Sequence, residues 1–124
     1  MYTTLISAAQ LQQLMHSGQP LRVMDCSFDL MDPSAGRLQF ESGHIPGAVH
    51  VHLDEHLSDK HGSDRASGGR HPLPSREVFA RRMSELGLHS GMQVVVMDRQ
   101  GANYCGRLWW MLKWCGHEAV AVLD

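Results

Sequence analysis

Short apolar runs alternate along this chain with longer segments whose apolar residues recur at three- and four-residue spacing. The runs are typical of buried strands and cover residues 21–24, 48–53, 93–97 and 119–123. The periodic segments predict helices over 7–17, 75–87 and from beyond residue 103 to about 115, with one helical turn at 37–42. Strands that alternate with helices indicate a mostly parallel α/β sheet with helices on both faces.

The predicted helix boundaries carry the residues that usually cap helices. Ser7 and Gln10 have the spacing of a capping box, and Gly18 is a suitable helix stop. Ser75 is in the position of an N-cap, and Gly87 ends the same periodic segment. Between the third helix and the strand before it, residues 54–74 show no apolar periodicity, which predicts a long surface loop that is functional or wraps a neighbour.

The connection formed by residues 98–103 is the first candidate site. It follows the apolar run 93–97 and precedes the Trp-rich helix, so it lies where the carboxyl end of a strand meets the start of a helix. Backbone N–H groups at such a point favour an anion. The first loop residue is Asp98, so the alternative is an ordinary connection with an Asp near a helix start.

The three cysteines are Cys26, Cys105 and Cys115, and their odd number and wide spacing indicate reduced thiols. Cys105 lies just inside a helix, where the helix dipole and Arg99 or Arg107 would lower the pKa of its thiol. The alternative, which we favour, is that Cys105 is a small core residue.

Nine histidines and three tryptophans raise two further hypotheses. His50 and His52 would share one face of a strand and could be a pair of metal ligands, but no cluster completes a tetrahedral set, so we predict no metal site. Trp110 and Trp114 would share a helix face, which is a candidate surface for another domain.

Composition excludes several classes of partner. With 11 basic and 13 acidic residues among 124, the net charge is −2, and the basic residues form no stripe. Binding to nucleic acid or to a membrane surface is therefore not predicted. No apolar stretch has the length of a membrane span and no signal-peptide pattern begins the chain, which predicts a soluble cytoplasmic protein.

The length fits one domain, 1–124, and we expect the natural protein to continue because such folds usually add a helix after their last strand.

Residues 40–51, with the sequence FESGHIPGAVHV, resemble the amino-terminal signature of the rhodanese family: an aromatic residue, three further residues, then HIPGA. The stretches VVVMD, GRLWWMLKWCGHE and VAVLD extend the resemblance over nearly the whole chain. The resemblance implies a rhodanese-like fold with a mostly parallel five-stranded sheet. It also implies the amino-terminal domain of a tandem thiosulfate or 3-mercaptopyruvate sulfurtransferase.

In an active domain of that family, a cysteine at the end of a strand carries sulfur as a persulfide. The corresponding loop here has Asp98 in place of the cysteine and keeps Arg99 and Gly101, with Asn103 at its end. A carboxylate holds no transferable sulfur and repels an anionic sulfur donor, so this domain alone is expected to be inactive. The resemblance implies a second, catalytic rhodanese domain as partner, a small anionic sulfur donor for the full protein, and no cofactor.

Four residues are predicted at a substrate site or a domain interface: His44, Arg70, Arg99 and Arg107. The alternative function is a non-catalytic rhodanese-like module that binds a partner or regulates it. A related cysteine-dependent phosphatase is excluded because it needs an Arg six positions after its cysteine. Those positions hold Asp32, Met111 and Ala121.

Overall fold

A computed structural model describes all residues, 1–124, and has an α/β architecture. The elements in chain order are β1 (Leu5–Ile6), α1 (Ala8–Ser17), β2 (Leu21–Asp25), α2 (Ala35–Ser42), β3 (Val49–His50), α3 (Arg76–Glu85), β4 (Gln93–Met97), α4 (Cys105–Trp114) and β5 (Val120–Leu123). One five-stranded sheet has the order β1-β5-β4-β2-β3, and every pair of neighbouring strands is parallel. The predicted fold class is confirmed. None of the four helices has the length and hydropathy that crossing a bilayer requires.

Local caps fix the start of two helices, as predicted. At α1 the Ser7 hydroxyl accepts a hydrogen bond from the backbone N–H of Gln10 at 3.1 Å, and the Gln10 side chain accepts one from Ser7 N–H at 2.9 Å. Gly18 ends the helix with a φ of 76°, which glycine adopts without steric cost. At α3 the Ser75 hydroxyl accepts from Val78 N–H at 3.2 Å.

Two strands differ from the pattern-based prediction. β1 has only two residues, too few for any periodicity to show, and it pairs Leu5 with Val122 at the edge of the sheet. β3 is limited to Val49–His50 rather than 48–53 because the chain leaves the sheet after one short pairing with β2. The prediction that His50 and His52 share a strand face is therefore wrong, since His52 lies beyond the strand.

Helices cover both faces of the sheet, and each face has its own core. On one face, strand residues such as Val94 and Val96 pack against Phe79 of α3 and Leu108 of α4. On the other face, Val95 belongs to a smaller cluster packed by α1 and α2. Alternate residues of β4 point to opposite faces, and its three central valines are all buried, which is how a parallel strand between two helical layers is expected to look.

The start of α2 is held close to the end of β2. A Cβ atom placed on Gly36 would lie 1.9 Å from the backbone oxygen of Ser27, so only glycine allows this approach of helix to strand. Segment 26–34, which joins the two elements, is thereby held at the carboxyl edge of the sheet.

Candidate functional site

The side chain of Asp98 accepts four backbone hydrogen bonds at the carboxyl end of β4. Its Oδ1 accepts from the N–H groups of Gln100 at 2.8 Å and Ala102 at 2.9 Å. Its Oδ2 accepts from Tyr104 and Cys105, each at 2.9 Å. We call these four N–H groups the Asp98 cradle. The anion that a strand-to-helix loop favours is thus supplied by the loop's own first residue.

Backbone conformation turns these N–H groups inward. Gly101 and Ala102 have φ values of 68° and 70°, and Ala102 is the only non-glycine residue of the chain with positive φ. A left-handed alanine costs roughly 1 kcal/mol. The hydrogen bonds to Asp98 offset that strain and fix the loop.

Two opposing effects act on the pKa of Asp98. Partial burial raises it, and the hydrogen bonds from Cys105, Gln100, Tyr104 and Ala102 together lower it below its ordinary value. Asp98 is therefore an anion at neutral pH, and its negative charge sits among the four N–H groups of the cradle.

Arg99 points away from the cradle and ties three segments together. Its Nη1 donates to Asp25 Oδ2 at 2.9 Å and to Ser27 Oγ at 2.7 Å, and its Nη2 donates to the Gly43 carbonyl at 2.6 Å. The Asp25 side chain is 1% exposed, so this guanidinium compensates a buried carboxylate. Arg99 thus links the loop after β4 to the end of β2 and to the turn after α2.

His44 lies on the far side of that turn, beside Gly43. Its ring stacks on Phe40 with centroids 3.8 Å apart, and its Nδ1 lies 2.7 Å from the Phe40 carbonyl oxygen. The aromatic residue and the histidine of the sequence signature therefore form one stacked pair at the end of α2, in which His44 is exposed and Phe40 is half-buried against the core. His44 and Arg99 lie together, apart from the other two predicted residues.

Arg70 and Arg107 line a pocket of about 300 Å³ beside the loop after β4. We call it the arginine pocket; its lining residues are Leu30, Leu53, Arg70, His71, Asn103, Tyr104 and Arg107. Arg107 Nη2 donates to the carbonyl oxygens of Leu57 at 2.7 Å and His71 at 2.9 Å, so it holds the long loop 54–74 against α4. Burial lowers the pKa of Arg107 from its ordinary value. The structure thus brings Arg70, Asn103 and Arg107 together in this pocket, and the two arginines make its wall cationic.

His71 and Asp54 also belong to this region, and the sequence analysis missed them. His71 Nε2 lies 3.5 Å from Asp54 Oδ1, which also pairs with Lys60 Nζ at 2.9 Å. Burial lowers the pKa of His71 despite the nearby Asp54 carboxylate. Both residues lie within the non-periodic loop, where no spacing rule links them; the only signal was that His71 directly follows Arg70.

Cys105 is a core residue. Its side chain is buried, and burial together with the charge of Asp98 raises the pKa of its thiol to about 12. The alternative of a thiol activated by the helix start is wrong because the helix N–H group that would stabilise a thiolate donates to Asp98 instead. Cys26 is likewise buried, and desolvation raises the pKa of its thiol.

The histidine and tryptophan pairs have different outcomes. His50 Nε2 lies 3.1 Å from the Ser27 carbonyl oxygen and His52 Nε2 lies 3.0 Å from that of Pro33, so each ring bonds to a different residue of the segment between β2 and α2. Trp110 and Trp114 stack with centroids 5.6 Å apart, and Trp110 is 47% exposed. The prediction that these two tryptophans share a helix face is confirmed.

Comparison with known proteins adds the family context. The family model described as rhodanese-like domain matches residues 7–124. The human 3-mercaptopyruvate sulfurtransferase is 40% identical over 113 residues, which cover 87% of this chain and 35% of the human protein. The mitochondrial thiosulfate/3-mercaptopyruvate sulfurtransferase 1 of Arabidopsis thaliana is 37% identical over 105 residues, covering 84% of this chain and 26% of that protein.

Solved structures give the same result. The 3-mercaptopyruvate sulfurtransferase from Leishmania major matches 97% of this chain and 32% of its own with a TM-score of 0.81 and 26% identity. SseA from Escherichia coli, described as a 3-mercaptopyruvate sulfotransferase with the rhodanese fold, matches 99% of this chain and 45% of its own with a TM-score of 0.77 and 28% identity. The chain spans less than half the length of the curated relatives described above.

Proposed function

The chain belongs to the rhodanese family, and we propose that it is the amino-terminal, non-catalytic domain of a tandem thiosulfate or 3-mercaptopyruvate sulfurtransferase. The observation that carries the proposal is the Asp98 cradle. Four N–H donors that would stabilise a thiolate or persulfide are occupied by a carboxylate. Sulfur transfer then takes place on a cysteine in a second rhodanese domain of the same polypeptide.

The chemistry of the cradle supports an inactive loop. A persulfide forms when a thiolate attacks the outer sulfur of a donor and the donor's leaving group departs with the electron pair of the broken bond. The carboxylate of Asp98 has no sulfur to take part in this exchange. Its negative charge also repels an anionic donor. The buried Cys105, with a thiol pKa of about 12, offers no substitute nucleophile.

The arginine pocket gives this domain a part in the proposed reaction. Arg70 and Arg107 present positive charge at the carboxyl edge of the sheet, beside Asn103 and Tyr104. We propose that this wall faces the catalytic domain and attracts the small anionic sulfur donor to the cysteine loop. His44 and Arg99 support the neighbouring part of the same edge, Arg99 through its bonds to Asp25 and Gly43.

A comparison of two polypeptides tests the proposal. Chain 1–124 and the polypeptide encoded by the natural reading frame are assayed for thiocyanate formation from thiosulfate and cyanide, and for pyruvate release from 3-mercaptopyruvate. We expect turnover only from the longer polypeptide. A persulfide on chain 1–124 that is consumed by cyanide would overturn the proposal.

The second candidate function is a non-catalytic rhodanese-like module that binds or regulates a partner. It is favoured by the same cradle, because its four N–H groups already donate to Asp98 and leave no donor free for an anionic ligand. One observation, which requires no purified protein, distinguishes the two functions. A reading frame that continues past Asp124 into another rhodanese-like half with a cysteine loop supports the enzyme, and one that ends there supports the module.

A further inference from the structure

Residues 52–58 form a tight turn in which a histidine ring bonds to the backbone. His52 N–H donates to His56 Nδ1 at 2.7 Å, and His56 N–H donates to the His52 carbonyl oxygen at 2.9 Å. The two bonds join the same two residues in opposite directions, so the His56 ring closes the turn. We call residues 52–58 the histidine turn.

The backbone donors determine which ring nitrogens carry protons. A backbone N–H can only donate, so Nδ1 of His56 must be an unprotonated acceptor in this geometry. The same is true of His52 Nδ1, which accepts from the N–H groups of Asp54 at 3.1 Å and Glu55 at 3.3 Å. His52 Nε2 therefore carries the ring proton and donates to the Pro33 carbonyl oxygen at 3.0 Å. The histidine turn is thus built on two unprotonated Nδ1 atoms.

Two arginines hold the histidine turn against the helices. Nη1 of Arg82, in α3, donates to the carbonyl oxygens of His56 at 3.3 Å and Ser58 at 2.7 Å. Nη2 of Arg107, in α4, donates to the carbonyl oxygen of Leu57 at 2.7 Å. The Leu57 side chain is fully buried in the core. Three successive carbonyl groups are bound in this way, so the turn anchors the first part of the long loop.

We propose that the histidine turn is a proton-sensitive switch: a proton on His56 Nδ1 opens the turn and loosens the long loop that walls the arginine pocket. The added N–H would face the His52 N–H, so an acceptor is replaced by a second donor. The charged ring would also lie beside the Arg82 guanidinium. Because Arg107 binds both Leu57 and His71, opening of the turn is transmitted to the pocket wall.

The surroundings of His56 favour its neutral form. Burial lowers the pKa of its ring from the ordinary value of 6.5. The Glu55 carboxylate acts in the opposite direction, and His52, His50 and Arg82 lower this pKa further. A histidine whose pKa is lowered in the closed turn stabilises that turn fully above about pH 6.5. The stabilisation is lost progressively as the pH falls below that value.

Amide hydrogen exchange of chain 1–124, followed residue by residue by NMR at pH 7.5 and pH 5, tests the inference. Conversion of the rates to protection factors removes the intrinsic pH dependence of exchange. The reporters are the N–H of His56, which donates within the turn, and that of Asp59, which donates to the Pro72 carbonyl oxygen across the long loop at 2.8 Å. We expect both protection factors to fall about tenfold at pH 5, and to stay below that of Val95 in β4 at either pH.

Two variants identify the group that senses the proton. His56→Asn keeps an acceptor oxygen that does not titrate between these pH values, so its protection factors at pH 5 and pH 7.5 should agree within about twofold. The matched control is His61→Asn, which changes an exposed histidine of the same loop and should retain the tenfold fall.

Three results would overturn the inference. A tenfold fall that persists in His56→Asn would assign the proton to another group. Loss of protection at His56 with none at Asp59 would show that the long loop does not follow the turn. Protection of both amides equal to that of Val95 would show that the turn opens only when the whole sheet unfolds. None of these results bears on the proposed function, because the switch lies within chain 1–124 and requires no catalytic domain.

Discussion

Asp98 Oδ2 accepts a 2.9 Å hydrogen bond from the backbone N–H of Cys105, the first residue of α4. The residue that directly follows β4 therefore satisfies the start of the next helix, and the same carboxylate accepts from three other N–H groups of the connecting loop. Position 98 consequently sets the stability of this loop, and in the proposed function it is also the position that would carry sulfur.

Asp98→Cys should give chain 1–124 the ability to form a persulfide. The new thiol would lie at the start of α4 among backbone N–H donors, which lower the pKa of a thiol and favour the thiolate. Peptide mass mapping after exposure to thiosulfate should find one added sulfur atom at position 98. The control Asp98→Ser should gain none, and sulfur on Cys115 alone would contradict the prediction.

Asp98→Asn should lower the free energy of unfolding at pH 7 by about 2 kcal/mol. The amide group would turn a donor toward two N–H groups that now donate to Asp98, and solvent around this half-buried side chain limits the loss. Because the folded pKa of Asp98 lies below its unfolded value near 4, its contribution is present above about pH 4 and is lost at lower pH. Urea unfolding at pH 7 and pH 3 should show a smaller difference between wild type and variant at pH 3; an equal difference would exclude the charge as the cause.

His56→Asn should reduce the loss of stability in mild acid. His56 Nδ1 accepts from His52 N–H at 2.7 Å, an acceptor role that the Asn side-chain oxygen can replace. Burial lowers the pKa of His56 below 6.5. The charge of Glu55 raises this pKa, and those of His52, His50 and Arg82 lower it further. A histidine with a lowered folded pKa contributes fully above about pH 6.5 and progressively less as the pH falls. Urea unfolding at pH 7.5 and 5 should therefore show a smaller change for this variant than for His16→Asn, at an exposed position of α1.

Thiol labelling should separate the three cysteines. Cys26 and Cys105 are buried and Cys115 is exposed, so a maleimide should modify Cys115 alone in the native chain and all three after unfolding. Burial raises the pKa of the Cys115 thiol, so its labelling should be slower than that of a free thiol. Rapid native labelling of Cys105 would contradict its assignment to the core.

Gly36→Ala should lower the free energy of unfolding by about 2 to 3 kcal/mol, because its methyl group would collide with the Ser27 carbonyl oxygen at 1.9 Å. The matched control is Gly106→Ala in α4, where a Cβ atom meets no neighbour within 4 Å. That control should be neutral or stabilising by up to about 1 kcal/mol. Thermal unfolding of both variants measures the difference, and equal Tm values would disprove the contact.

Periodicity and capping residues predicted most of the regular structure. The bounds 93–97 of β4 and the caps at Ser7 and Ser75 agree with the structure because each depends on short-range chemistry. β1 was missed and β3 was predicted too long because both have only two residues, and their pairing depends on distant strands.

The candidate site was predictable in its location but not in its contacts. The 98–103 loop was expected at the end of a strand, where the structure places it. That Arg99 would bond to Asp25 and Gly43 could not be predicted, because these partners are brought to it by the tertiary fold. Four N–H groups converge on Asp98 only because Gly101 and Ala102 both have left-handed backbone conformations, and a left-handed alanine has no sequence signal.

The pairing of Leu5 with Val122 joins two positions near opposite ends of the chain. During synthesis on the ribosome, β1 is made well before β5, so its backbone hydrogen bonds to β5 form only after more than a hundred further residues have been added. Such a late closing step slows folding and leaves the outer edge of β5 open in nascent chains. The two residues of β1 thus cover the edge of the sheet at β5, and they do so only after the central strands have been made.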